Sequence, residues 1–411
     1  MLYIVISTSG GERIDYVSLL QSTLHMWIHP SLLPTSRHVV SGWGVMTRTS
    51  LPRGQVILEL HLQDALRVSN AICTRFPALA NLSESGGLAY CLAKLKKTKE
   101  KSEAWTRWIA SLPSKGVLNY PFYSPDDLEG LRFPQAQSFL LEQIHEFQKD
   151  AEKLRGTDVS FKDFRWAVSM VKSRSFVDTT ALNRPGTARI FLMPFDFFNC
   201  DSSPNIRYSI TQDQRLVMET KVDIEAGTEL FIGYGPYDNL VYLSHYGFML
   251  EPNPHDVLEF YVRIPDSDPN KQLKIEILKR IWSETSLRIR IALSGQDRSQ
   301  DDVRIARFAM LEPKDLSAFS IGEILQYRSV SVDNEKNAAR AVTQACSMFL
   351  EQEKPRGKQR RTRVALKLVE RERKLIQSLV SCFRVYSRKM RPELEERDRI
   401  LSAFRKKERN G

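Results

Sequence analysis

Apolar and polar positions alternate most clearly between Arg215 and Tyr234. Arg215–Val222 and Thr228–Tyr234 are β-rich runs, and Glu225-Ala226-Gly227 between them has turn chemistry, so the segment is expected to form a hairpin. The same pattern occurs earlier, where Leu51-Pro52-Arg53-Gly54 precedes a strand at Gln55–Leu60 much as Ile224-Glu225-Ala226-Gly227 precedes the second run; both read as short hairpin turns. Helical periodicity dominates elsewhere. Gly11–Tyr16 opens a helix with Leu19, Leu20, Leu24 and Trp27 near helical spacing. Residues 62 to about 165 are mostly helical in pattern, with Leu140, Leu141, Ile144 and Phe147 as one apolar stripe of the Pro134–Leu154 segment. Phe161–Phe176 is a further amphipathic helix. After Glu251-Pro252-Asn253-Pro254 the chain runs through Leu258–Ile264 and is then helical to its end, where Val364, Leu368, Leu375, Leu379 and Cys382 repeat at helical spacing. The expected class is α+β in two domains. Short strands with glycine turns, and no Gly-x-Gly-x-x-Gly after any strand, argue against a doubly wound dinucleotide-type fold.

Composition narrows this picture. With 411 residues, 42% of them hydrophobic, the chain can bury one large core or two modest ones. No apolar run reaches the roughly 18 residues that cross a bilayer, and MLYIVISTSGGERIDY has no basic region ahead of its apolar patch, against a signal peptide. A soluble protein of the cytoplasm or nucleus, with no membrane partner, is expected. Cys73, Cys91, Cys200, Cys346 and Cys382 are scattered, with neither a Cys-x-x-Cys pair nor a His at ligand spacing, which argues for reduced thiols and against a structural zinc. The net charge of +11 is uneven, because residues 351–411 hold 20 Lys+Arg against 9 Asp+Glu and the remainder is balanced. A basic segment can bind nucleic acid. A solvated helix face, or one that meets an acidic protein, is the simpler reading, so nucleic acid is not the expected partner.

The chemistry-bearing residues gather between Met193 and Phe248. Phe195-Asp196-Phe197-Phe198-Asn199-Cys200 sets one carboxylate and one amide among aromatic rings, too mixed for a plain core strand, and reads as a polar pocket with aromatic walls. Asn199, Tyr234-Gly235 and Tyr246-Gly247-Phe248 then follow in order. In this order and spacing they resemble the SET domain of protein methyltransferases, in the branch of the Rubisco large-subunit lysine methyltransferase and the actin-histidine N-methyltransferases. Further segments extend the likeness over nearly the whole chain. Trp105, Trp108, Ile109 and Leu112-Pro113 are similar to one of the branch's signatures, although such aromatics are more often core than site. Phe164-Arg165-Trp166-Ala167-Val168-Ser169 is similar to the histidine-directed enzymes, and Ser173-Arg174-Ser175-Phe176 to the lysine-directed ones. Asp333-Asn334-Glu335 and Arg363–Leu368 resemble the branch's helical substrate-binding domain. Cys200 departs, standing where the family has a histidine.

The resemblance implies a split SET domain of short strands and loops over residues 1–250, with a helical insert at about 62–165, and an all-α substrate-binding domain over 251–411. It implies S-adenosyl-L-methionine as cofactor, no metal, and a non-histone protein substrate docked on the helical domain of a monomer. Cofactor contacts are implied for Arg13, for Ser41, Gly42 and Trp43, for Arg174, Asn199 and Cys200, and for Tyr246, Gly247 and Phe248. The glycines flanking Trp43 let the backbone approach a ligand without a Cβ clash. Arg13 is equally readable as a surface arginine at a helix start, and Trp43 as a core residue. Arg174 suits a bidentate pair with the methionine carboxylate or an ordinary salt bridge. On the substrate side the resemblance implies a channel of Phe176, Phe195, Asp196 and Phe198, with Tyr234 as the catalytic residue.

Methyl transfer from a sulfonium to nitrogen is an in-line displacement that needs a neutral, aligned nitrogen. Lysine, with an ordinary pKa of about 10.4, must first lose a proton. A histidine-directed pocket needs a polar group to hold the second imidazole nitrogen, and Phe176 stands where that branch has Asn. Lysine is therefore the expected target. The alternatives are protein-histidine methylation and a catalytically silent SET scaffold, the latter motivated by Cys200 and by Ser41, which stands where relatives often have Glu.

Overall fold

The computed structural model describes residues 16–68, 77–99, 101–128, 131, 134–181, 189–261, 263–282, 288–292, 305–318, 330–351, 366–374 and 376–377. Arg13, the first half of the Arg363–Leu368 motif, and the periodic positions Val364, Leu375, Leu379 and Cys382 lie outside the described residues. The chain divides into two compact units, one of residues 1–123, 140–237 and 241–252 and another of residues 124–139, 238–240 and 253–411. Residues 124–139, expected within the insert of the first domain, group with the second unit.

The first unit opens with helix α1 (Tyr16–Thr23), which buries Tyr16, Leu19 and Leu20. Trp27 does not continue it; it starts a strand and is 41% exposed. Two sheets follow. The first joins β1 (Trp27–Ile28), β4 (Val56–His61), β8 (Ile206–Ile210) and β9 (Arg215–Thr220) in the antiparallel order β1-β4-β9-β8. The second joins β2 (Leu32–Thr35), β3 (Gly44–Thr47), β7 (Asn199–Cys200) and β10 (Glu229–Ile232) in the order β2-β3-β10-β7, with β10 and β7 parallel. Leu216, Met218 and Thr220 alternate inward along β9, as a period of two requires.

The hairpin expected over Arg215–Tyr234 does not form, because β9 and β10 belong to different sheets. Nor is Leu51–Gly54 a hairpin turn, since β3 and β4 are likewise in different sheets. The two similar turns bond each other instead. Leu51 and Ile224 exchange both backbone hydrogen bonds at 2.8 Å, and the Gly227 N–H donates to Thr47 O at 2.7 Å. Turn residues report a bend, and a bend leads to another sheet as readily as back along the same one.

Helices α2 (Glu84–Lys97), α3 (Glu103–Ser111), α4 (Pro134–Lys153) and α5 (Phe161–Arg174) supply the helical part. In α4 Leu140 and Phe147 are buried, whereas Leu141 is 50% exposed. Ser160 caps α5 by accepting from the Asp163 N–H, and Ser175 ends it in extended conformation. That ending leaves Arg174 as the last helical residue and starts β5 (Phe176–Val177), which pairs with β6 (Ile190–Phe191).

The second unit contains helices α6 (Lys271–Trp282), α7 (Pro313–Ala318) and α8 (Val332–Glu351) and one antiparallel pair, β11 (Val257–Tyr261) with β12 (Arg288–Ala292). The helical expectation did not include that pair. Among its described residues several buried charges are paired. Lys274, fully buried, donates to Ala309 O at 3.0 Å and Leu311 O at 2.6 Å and pairs with Asp268. Arg371 pairs with Asp256 at 3.0 Å, and Arg307 with Glu335 at 2.5 Å. Removing one member of such a pair strands the other in the interior. No helix among the described residues is long and apolar enough to cross a membrane.

Candidate active site

The end of α5 brings Arg174 beside Asp196. The Arg174 Nη1 donates to Asp196 Oδ2 at 3.2 Å, and the Trp108 indole Nε1 donates to Asp196 Oδ1 at 2.8 Å. Both carboxylate oxygens are thus held, and Trp108, with no exposed surface, fixes the assembly to the core. The Arg174 Nε is buried and has no hydrogen-bond partner. A buried N–H on a charged fork, left unsatisfied, is a donor that lacks an acceptor.

Next to this pair lies a cavity of about 30 Å³ bordered by Arg174, Phe176, Asp196, Phe198, Tyr234 and Tyr246, with Tyr208 and Ile232 beside them. Phe176 is stacked on Phe191 at 5.8 Å and meets Tyr208 edge-on at 5.3 Å. Tyr234 donates its hydroxyl hydrogen to Phe198 O at 2.9 Å, and Tyr246 covers its ring at 4.8 Å. Burial pushes the Tyr234 hydroxyl well above its ordinary pKa, so it stays protonated and acts as a fixed dipole.

A second cluster forms where β7 meets β10. Asn199 Nδ2 donates to Glu229 Oε1 at 2.7 Å and to Ser41 O at 3.2 Å, while Glu229 Oε2 accepts from the Val40 N–H at 2.9 Å. The carboxylate of Glu229 therefore ties the loop before β3 to Asn199. Trp43, half-buried, lies against Phe197 at 5.9 Å. It is neither sealed in the core nor free of it.

The two glycines around Trp43 differ. Gly42 has φ +56 with open space around it, whereas a Cβ on Gly44 would meet Glu229 Oε1 at 2.5 Å and Val39 Cγ1 at 2.7 Å. Gly44 makes room for a carboxylate of the protein itself rather than for a ligand. Gly44→Ala is expected to lower stability by about 1–3 kcal/mol through this overpacking, read as a fall in the thermal midpoint.

Several expected site residues sit elsewhere. Phe195 is fully buried against Phe197 and Phe198 and is not among the residues that border the cavity. Tyr246, assigned to the cofactor by resemblance, shares the cavity wall with Tyr234. Gly247 has φ +78, and a Cβ there would stand 2.6 Å from Leu118 O, so local packing explains this glycine. Phe248 packs on Tyr242 at 5.5 Å. The Cys200 thiol lies 3.7 Å from the Tyr242 hydroxyl, and burial raises its pKa, which keeps it neutral. Sequence reasoning missed Glu229, Tyr208 and the polar role of Trp108.

Tyr242–Tyr246 forms a π-helical turn, a geometry often found at functional sites. Within it the His245 carbonyl accepts from Asn119 Nδ2 at 2.7 Å, and its ring lies 6.1 Å from Tyr120 and 6.3 Å from Tyr246. Desolvation, helped by the charge of Lys172, pushes His245 down to about 3. A histidine depressed in the folded state takes its proton more readily when unfolded. Its stabilising contribution is full above pH 6.5 and is lost as pH falls from 6.5 toward 3. Across that window wild type is expected to lose up to about 1.4 kcal/mol per pH unit more than His245→Gln, as measured by denaturant unfolding.

The model of the SET domain matches residues 42–235. Among curated proteins, the actin-histidine N-methyltransferase of Xenopus tropicalis is 24% identical over 343 residues, covering 77% of this chain and 53% of that protein. That of Homo sapiens is 26% identical over 221 residues, covering 50% of this chain and 36% of that protein. The chain spans about half the length, or less, of these relatives. Among solved structures, the SET domain of LSMT bound to lysine and AdoHcy gives a TM-score of 0.66 at 17% identity, covering 92% of this chain and 91% of that one. Rubisco LSMT bound to AdoMet gives 0.66 at 17% identity over 90% and 91%. At these identities the likeness to the solved structures is one of fold. Residues 42–235 match the SET domain, and the chain resembles the branch of SET proteins represented by Rubisco LSMT and the actin-histidine N-methyltransferases.

Proposed function

We propose that the protein is an S-adenosyl-L-methionine-dependent protein N-methyltransferase that modifies a lysine side chain of a non-histone protein. The observation that carries this reading is the buried, unpaired Nε of Arg174, held by Asp196 at the edge of a narrow aromatic cavity. The residues present fit the cofactor. Arg174 offers donors to its carboxylate, Asn199 Oδ1 an acceptor to its ammonium, and the half-buried Trp43 ring a surface for its base. Once bound, it supplies an electrophilic methyl group on sulfonium sulfur.

The protein's own residues prepare the acceptor. The narrow aromatic cavity walled by Phe176, Phe198, Tyr234 and Tyr246 suits a slender aliphatic chain and holds little water. Desolvation there disfavours the ammonium form of lysine, and the Arg174 charge keeps the paired Asp196 carboxylate from offsetting it. Tyr234, kept protonated, orients the reacting groups and takes no proton. Phe176, stacked on Phe191, provides no polar atom for an imidazole nitrogen. The helical second unit docks the protein substrate of a monomeric enzyme in the cytoplasm or nucleus, and nucleic acid is not its partner.

A second reading, histidine as target, is favoured by the names of the curated relatives. Transfer of labelled methyl groups to fractionated protein extract, followed by amino-acid analysis, separates the two. Methyllysine supports the proposal, methylhistidine the second reading, and saturable cofactor binding with no transfer to any fraction a silent scaffold.

A further inference from the structure

We infer that Glu229 is a positioning residue for the amino-acid end of the cofactor, acting through Asn199; this rests on the reading that the site takes S-adenosylmethionine. An asparagine amide presents one acceptor and two N–H donors. Both donors of Asn199 are engaged, one on Glu229 Oε1 at 2.7 Å and one on Ser41 O at 3.2 Å. That pairing fixes which way the amide faces. Its Oδ1 is turned away from both, and among the described residues it has no hydrogen-bond partner. A fixed carbonyl oxygen of this kind accepts from an ammonium group and rejects a carboxylate.

Glu229 is itself held against rotation. Its Oε2 accepts from the Val40 N–H at 2.9 Å, it is 8% exposed, and the missing Cβ of Gly44 makes room for Oε1. No Lys or Arg among the described residues pairs with it. A buried carboxylate with two hydrogen bonds and no counter-cation leaves a negative charge behind Asn199, and a ligand cation is the group that offsets it. Arg174, with its orphaned Nε, offers the opposite polarity. An acceptor backed by a carboxylate and a donor on a guanidinium suit the two ends of an α-amino-acid zwitterion.

Glu229→Gln keeps the shape and reverses half of this logic. The glutamine carbonyl satisfies one donor only, and its NH₂ then faces either the Val40 N–H or the Asn199 NH₂. Asn199 relieves the clash by giving up its bond to Ser41 O and turning its Oδ1 toward Gln and its NH₂ toward the ligand, where it opposes an ammonium.

The test is calorimetric titration of the full chain, wild type and Glu229→Gln, with S-adenosylhomocysteine and with its desamino analogue, in which hydrogen replaces the ammonium. Wild type is expected to prefer the parent ligand by about tenfold or more, and Glu229→Gln to reduce that preference to within about twofold while binding the analogue as before. Equal weakening of both ligands, with the preference kept, would overturn the inference and leave Glu229 as a loop support. No change in either affinity would also overturn it. If wild type binds neither ligand, the cofactor reading itself fails, an outcome distinct from a preference that survives the substitution. Thermal melts of both proteins, together with analogue binding, show that the variant is folded.

Discussion

Arg174→Ala is expected to abolish saturable binding of S-adenosylmethionine in equilibrium dialysis, with affinity falling by about a hundredfold or more. The size follows from what one side chain does. Arg174 is the last residue of α5, its Nη1 is committed to Asp196 at 3.2 Å, and its Nε is buried without a partner. A carboxylate meeting the donors of the guanidinium that Asp196 does not take gains charge-assisted hydrogen bonds worth about 1.5–3 kcal/mol each. Alanine removes them together. It also takes the cation from Asp196, a carboxylate with 2% side-chain exposure that would retain only the Trp108 indole. A fall in the thermal midpoint should therefore accompany the loss of binding. Arg174→Lys keeps the charge without the planar fork, so it should restore much of the stability and little of the affinity.

The second large effect belongs to Tyr234. Tyr234→Phe is expected to slow methyl transfer by about 10²–10³-fold, the usual result of removing one fixed polar group at a reacting centre, while cofactor affinity stays within about twofold of wild type. The ring itself is held independently of its hydroxyl, with Tyr246 at 4.8 Å and Phe248 at 6.3 Å. Removing the oxygen frees Phe198 O and deletes a dipole from the cavity wall, without opening a gap the size of a side chain. Because the hydroxyl is held protonated by burial, no rise in rate near the ordinary pKa of tyrosine is expected in wild type. Single-turnover transfer of labelled methyl groups to a fraction accepted by wild type measures both the loss and the pH profile.

What was readable before the fold was known depended on how local the signal is. Asn199, Arg174 and Tyr234 stand in short runs whose order along the chain carries the resemblance, and the fold brings Arg174 and Tyr234 to one cavity and ties Asn199 to the loop before Trp43. Glu229 offered no such signal. It is an acid just past a turn glycine, like many surface acids, and only the pairing of β10 with β7 and β3 turns it inward. Trp108 reads as core and is core, but its indole nitrogen is also the second partner of Asp196. In the aromatic run Phe195–Phe198, hydrophobicity does not say which ring faces the cavity; the backbone path puts Phe198 there and buries Phe195 behind it. The failed hairpin has the same cause. Gly227 announces a bend, whereas the choice of β3 as the partner of β10 is made across the whole first unit.

The central claim is that the protein holds S-adenosylmethionine through Arg174 and the Asn199 cluster. Calorimetric titration of S-adenosylhomocysteine into the wild-type chain tests it most directly. Saturable binding at one site per chain is the predicted result; no detectable binding to folded wild-type protein would contradict the claim and move the reading to a protein-binding scaffold.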